Sequence, residues 1–192
     1  MCAADLRRRS LLGVGALGMV TRWASAADDV DFWRQLRAGG CIVLMRHATT
    51  EPGTGDPPEF RLGDCRTQRN LSEEGRAQAR RVGQAFAAQG MAPPMVRSSA
   101  WCRCTETAQL AFGAHSVWPA INSFFQGDVG PAQTREVLQA LAAHRAPGNL
   151  VLVTHQVNIS ALTGEYPAMG ELFLTRPPAS DGRLKVLARQ RP

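Results

Sequence analysis

No apolar run in this 192-residue chain reaches the roughly 20 residues that a helix needs to cross a bilayer. The longest candidate, Leu11 to Val20, is only weakly apolar, so the mature protein is expected to be soluble, without stable membrane insertion. Beyond residue 26 there is no basic run and no alternation of basic with aromatic residues, which argues against a nucleic-acid surface. The four histidines are scattered, and the five cysteines follow no zinc-ligand spacing, so no metal and no cofactor is expected. Internal repeats and low-complexity tracts are also missing, which excludes solenoids and linker-rich architectures.

What is there begins with Arg7-Arg8-Arg9-Ser10-Leu11-Leu12, then the apolar stretch, then Ala24-Ser25-Ala26. A basic start, a short apolar middle and a small-residue exit describe an export signal, and the paired arginines point to the twin-arginine type. Residues 1–26 are therefore read as the signal and 27–192 as one domain in the periplasm or outside the cell. A frayed basic terminus and a lipid anchor through Cys2 are the competing readings. Cleavage after Ala26 would remove four arginines and Asp5, taking the formal net charge from +6 to +3. That mild positive bias favours approach of an anionic substrate. In an oxidising compartment Cys41, Cys65, Cys102 and Cys104 could form bridges. Cys102 and Cys104 lie two apart on an expected helix start and do not face each other. A bridge from one of them to Cys65 is open, and three complete pairings exist.

The mature region alternates strand-like and helix-like segments. Cys41–Met45, Met95–Ser98 and Leu150–Thr154 are short apolar runs of the kind buried in parallel sheets. Val117 and Trp118 suggest a further short strand, and 171–174 and 184–187 read as closing strands. Helices are expected before Gly39-Gly40, from Ser72 to Gly90, through Thr105 to Gly113, from Pro131, and from about Val157. The fold class is α/β, a mostly parallel central sheet with helices on both faces. Residues 48 to about 70 form a long aperiodic connection, either functional or a surface insertion.

The chemistry gathers at strand ends. Arg46 and His47 close the first apolar run, His155 closes the run at 150–154, and Ser98-Ser99 leads toward Arg103. In open α/β sheets ligands bind beyond the carboxyl ends of the strands. Two imidazoles and two guanidiniums converging there would suit a phosphate, because guanidinium gives paired charge-assisted hydrogen bonds.

These segments resemble the motifs of the histidine phosphatase (phosphoglycerate mutase-like) superfamily. Leu44-Met45-Arg46-His47-Ala48 looks like its Arg-His-Gly signature, with Ala48 in place of glycine. Asn70-Leu71-Ser72-Glu73-Glu74-Gly75-Arg76 is similar to the helix opening that follows. Ser98-Ser99-Ala100-Trp101-Cys102-Arg103 resembles the second arginine motif, with Ala100 where proline is usual. Val153-Thr154-His155 resembles the second histidine motif. The resemblance implies a three-layer sandwich and a small exported phosphatase acting on a phosphomonoester or phosphoanhydride, with a cell-envelope phosphate as the guess from location. It implies His47 as nucleophile, Arg46, Arg103 and His155 as catalytic phosphate ligands, and Thr50 as a further substrate contact. Two features depart from the family. The stretch 118–125 holds no carboxylate and His155 is followed by Gln156, so the usual acid is missing. Glu51, Asp56, Glu59 and Asp64 in the long loop are the candidates left. A phosphate-binding protein that has lost catalysis is the alternative.

Overall fold

The computed structural model describes residues 31–53, 55–91, 94–124, 129–178 and 182–192. The expected export signal lies outside them. Six strands form one sheet: β1 (Ile42–Arg46), β2 (Met95–Ser98), β3 (Ser116–Val117), β4 (Leu150–Thr154), β5 (Leu172–Thr175) and β6 (Ala188–Gln190). Their order is β3-β2-β4-β1-β5-β6. All neighbours from β3 to β1 are parallel, and β5 runs antiparallel to both β1 and β6. The α/β class and the mostly parallel sheet are as the sequence predicts.

The runs are apolar throughout because both sheet faces are covered, and successive side chains point to opposite faces. Val43 and Met45 of β1, Val151 and Val153 of β4, and Leu172 and Leu174 of β5 share one core. That core is filled by Phe32, Trp33 and Leu36 of α1 (31–37), Val82 and Phe86 of α2 (Glu73–Ala88), and Cys104 and Ala108 of α3 (Cys102–Phe112). Ile42, Leu44, Leu150, Leu152 and Phe173 face the other way. They meet Val137 and Leu141 of α4 (Gly130–Ala142) and Ile159 and Leu162 of α5 (Gln156–Thr163).

Local signals set the helix boundaries. Ser72 caps α2 by accepting from the Gly75 N–H at 3.1 Å, with Glu73 and Glu74 in the positive first turn. By its residue type either Asp29 or Asp31 is expected to cap α1; Asp31 instead lies inside the helix and accepts from Arg34 and from Gln35 Nε2. The other expected cap, Asp29, lies outside the described residues. The last strand is also displaced: residues 184–187 are not a strand, and β6 starts at Ala188. Leu184 is held by the end of α5, its N–H donating to Leu162 O at 2.9 Å while its buried side chain joins the α4–α5 core. The chain rejoins the sheet only after Leu187 N–H reaches Leu174 O.

Candidate active site

The carboxyl ends of β1, β4 and β2 stay knitted one residue past the strands. His47 N–H donates to Thr154 O and Ser99 N–H to Val153 O, both at 2.9 Å. His47, His155 and Ser99 are thereby fixed at one rim. Arg103 comes from the first turn of α3, and His155 immediately precedes α5, so two positive helix ends face this rim. The four side chains expected to meet do so.

His47 and His155 are 3% and 4% exposed, with ring centroids 5.5 Å apart. His47 Nδ1 lies 2.8 Å from Ala48 O. A carbonyl only accepts, so Nδ1 carries the proton and Nε2 keeps its lone pair. Burial pushes the pKa of His47 down to about 3, aided by Arg103, Arg46 and Arg69 and opposed by the Ala48 hydrogen bond. Arg46, its chain neighbour, contributes less than burial and less than Arg103. The result is a neutral imidazole with a free nitrogen across the whole physiological range, as a nucleophile requires.

His155 has the opposite tautomer. Ser99 Oγ donates to Asn122 Oδ1 at 3.0 Å, and that same oxygen takes the Ala100 N–H at 2.8 Å. Ser99 therefore accepts from His155 Nε2–H at 2.8 Å. Nδ1 is left as an acceptor facing Arg103 Nη2 at 3.5 Å. A hydrogen bond from neutral His155 to a phosphoryl oxygen, the role expected from the resemblance, does not fit this tautomer; its inward nitrogen instead steers Arg103. Burial, then electrostatic coupling to His47, Arg103 and Arg46, holds its pKa well below the usual histidine value.

Three arginines share the site. Arg46 Nη1 donates to Pro167 O at 3.0 Å. Arg103 Nη1 reaches both oxygens of Asp56, at 2.9 and 3.0 Å, and its guanidinium stacks over Trp101. Arg69 Nη1 donates to Thr50 Oγ1 at 2.8 Å and to Gly53 O at 3.0 Å. In all three, Nε is buried without a hydrogen-bond partner. Burial lowers the pKa of Arg46 and Arg69, and the neighbouring guanidiniums, Arg69 and Arg103 for Arg46 and Arg103 for Arg69, lower them further. With neutral imidazoles and one bonded carboxylate, the cluster carries two net positive charges.

Thr50 is buried here, but its hydroxyl is engaged by Arg69 and lies 3.8 Å from Met169 Sδ. It positions an arginine. Arg69 itself escaped the sequence reading. The signal available was slight, an arginine just before the Asn70-Leu71-Ser72 helix opening; what brings it in is the bridge between Thr50 and Leu71.

The surrounding loop is held tightly. Gly75 must be glycine, since a Cβ there would stand 1.8 Å from Thr49 O. Gln78 Oε1 takes the N–H and hydroxyl of Thr49, while its Nε2 donates to Met169 O. A Cys65–Cys102 disulfide fastens the loop to α3 next to Arg103, leaving Cys41 and Cys104 as buried free thiols. Gln68 Oε1 accepts from Cys102 N–H at 2.9 Å beside it. No group of three or more His, Cys, Asp or Glu side chains is placed to hold a metal among the described residues.

Geometry and motif order now meet an independent match. The profile of the histidine phosphatase superfamily (branch 1) matches residues 42–123, from β1 past the second arginine segment. Over that stretch the chain is similar to the histidine phosphatase superfamily. Several solved structures are similar. The protein from Agrobacterium tumefaciens assigned as the phosphohistidine phosphatase SixA is 20% identical, with a TM-score of 0.55 over 80% of this chain and 98% of that one. TTHB049 from Thermus thermophilus is 22% identical, with a TM-score of 0.55 over 79% and 99%. A protein histidine phosphatase SixA complexed with tungstate is 15% identical, with a TM-score of 0.52 over 79% and 96%. At these identities the likeness is one of fold. Among curated protein sequences, none matches this chain.

Proposed function

We propose that this protein is a phosphatase that takes the phosphoryl group of a phosphomonoester or phosphoanhydride onto His47 Nε2 and passes it to water. One observation carries the reading: a neutral, Nδ1-protonated His47 beside three arginines whose buried Nε atoms lack partners. Two net positive charges match a phosphoryl dianion. His47 Nε2 attacks phosphorus as the bond to the leaving oxygen breaks, giving phosphohistidine. Water then attacks phosphorus, the P–N bond breaks, and the electron pair returns to Nε2. Arg46, Arg69 and Arg103 hold the equatorial oxygens, favouring the spread of charge in the transfer state. His155 keeps Arg103 oriented.

The Cys65–Cys102 bridge supports an oxidising compartment, in keeping with the arginine-rich start at residues 7–9 and an envelope phosphate as substrate. A second reading, phosphate binding without turnover, is favoured by the lack of a carboxylate in the stretch 118–125 and by Gln156 directly after His155. Hydrolysis of p-nitrophenyl phosphate, inhibited by tungstate and abolished in His47→Ala, separates the two. A protein that binds tungstate but turns over nothing would be the binder.

A further inference from the structure

We propose that Asp56 is the acid that protonates the leaving oxygen and the base that then activates water; this rests on the phosphatase reading above. The chain lacks a carboxylate at 118–124 and directly after His155, where Gln156 stands, yet one reaches the cluster from the long loop. Among the described residues, Asp56 is the only carboxylate hydrogen-bonded to Arg46, Arg69 or Arg103. Its side chain is 2% exposed. The other loop acids point elsewhere: Glu51 and Glu59 are exposed, and Asp64 pairs with Arg66 at the surface.

The loop is built to present this group. Gly55 has φ of 71°, turning the chain just before Asp56, and a proline at 57 disfavours helical backbone at Asp56. The Arg69 N–H donates to Oδ1 at 2.9 Å, and the Cys65–Cys102 bridge anchors the far end of the loop beside Arg103. The two Nη atoms of Arg103 face different partners, His155 on one side and Asp56 on the other. A phosphoryl group held by Arg103 therefore has Asp56 at its edge.

Oδ1 has two donors, Arg103 and Arg69 N–H, whereas Oδ2 has Arg103 alone. When the phosphoryl group draws Arg103 to its own oxygens, Oδ2 is released, and the proton that a monoanionic ester brings passes from its phosphoryl oxygen to Oδ2. The proton on Oδ2 passes to the leaving oxygen as His47 Nε2 bonds to phosphorus and the P–O bond breaks. The products are the alcohol, phosphohistidine and Asp56 carboxylate. Oδ2 then takes a proton from water as that water attacks phosphorus, restoring the acid and releasing phosphate.

The test compares leaving groups in the full mature chain. Asp56→Asn should lower kcat/KM for phenyl and ethyl phosphate by about 10²–10⁴-fold, the usual worth of a positioned acid. With 2,4-dinitrophenyl phosphate, whose leaving group needs no proton, the loss should stay below about tenfold, and phosphohistidine should accumulate because the base is gone. Equal losses on all substrates, or no loss on ethyl phosphate, would overturn the assignment. Wild type alone gives a second reading that does not depend on the variant folding. Its kcat/KM should vary little across the three esters, and a steep dependence on leaving group would also overturn it. If no form of the protein forms phosphohistidine, the nucleophile reading fails instead, which is a different result.

Discussion

Acidification from pH 7 to pH 5 should cost about 2 kcal/mol of stability through His47 alone, by linkage of the proton to folding. Its folded pKa is displaced from 6.5 to about 3 because the ring is buried and faces three guanidiniums. At 1.36 kcal/mol per unit, the full displacement is worth about 5 kcal/mol. The unfolded chain takes up the proton first. Stability is therefore complete above about pH 7 and is lost as pH falls through 6.5 toward 3. Urea unfolding of wild type and His47→Asn at the two pH values isolates this contribution. Wild type should lose about 2 kcal/mol more than the variant, close to 1 M in midpoint at a typical m-value of about 2 kcal/mol/M. His155 is depressed partly by His47, so the coupled contribution has the same sign. An equal pH loss in both proteins, or an NMR titration of His47 near 6.5, would refute the buried neutral imidazole.

Other consequences follow from the same geometry. Arg69→Met should weaken tungstate binding by roughly tenfold to a hundredfold, the worth of one charged hydrogen bond, as read by isothermal calorimetry. Gly75→Ala pushes a Cβ into Thr49 O, so it should cost about 1–3 kcal/mol and reduce kcat/KM by displacing the loop after His47. Replacing Cys65 and Cys102 by serine frees a separation of 37 residues, worth about 4 kcal/mol in chain entropy. A thermal midpoint unchanged in that double variant would contradict a stabilising bridge.

Much of this was legible in the chain. The strands ending in His47 and His155 declared themselves because an apolar run that stops at charged residues fits only a buried strand reaching its rim. Ser72 and Gly90 marked α2 through backbone needs that few other residues meet. The long loop resisted because nothing periodic governs it. Asp56 appeared there as one of four equal acids, and Arg69 not at all, since their places depend on the Thr50–Leu71 bridge and on which cysteine Cys65 chose. The misplaced last strand has a similar cause: Leu184 has the apolar character of a strand residue, but the end of α5 claims its N–H. Tautomers are set by third parties such as Asn122 and Ala48, and no single-residue signal reports them.

The central claim is that His47 Nε2 carries the phosphoryl group. Mixing the protein with radiolabelled phosphomonoester, quenching in alkaline denaturant within milliseconds and mapping the label by mass spectrometry tests it directly. The account predicts an acid-labile, alkali-stable phosphate on His47, absent in His47→Ala. Label on another residue, or turnover that survives loss of the His47 imidazole, would contradict it.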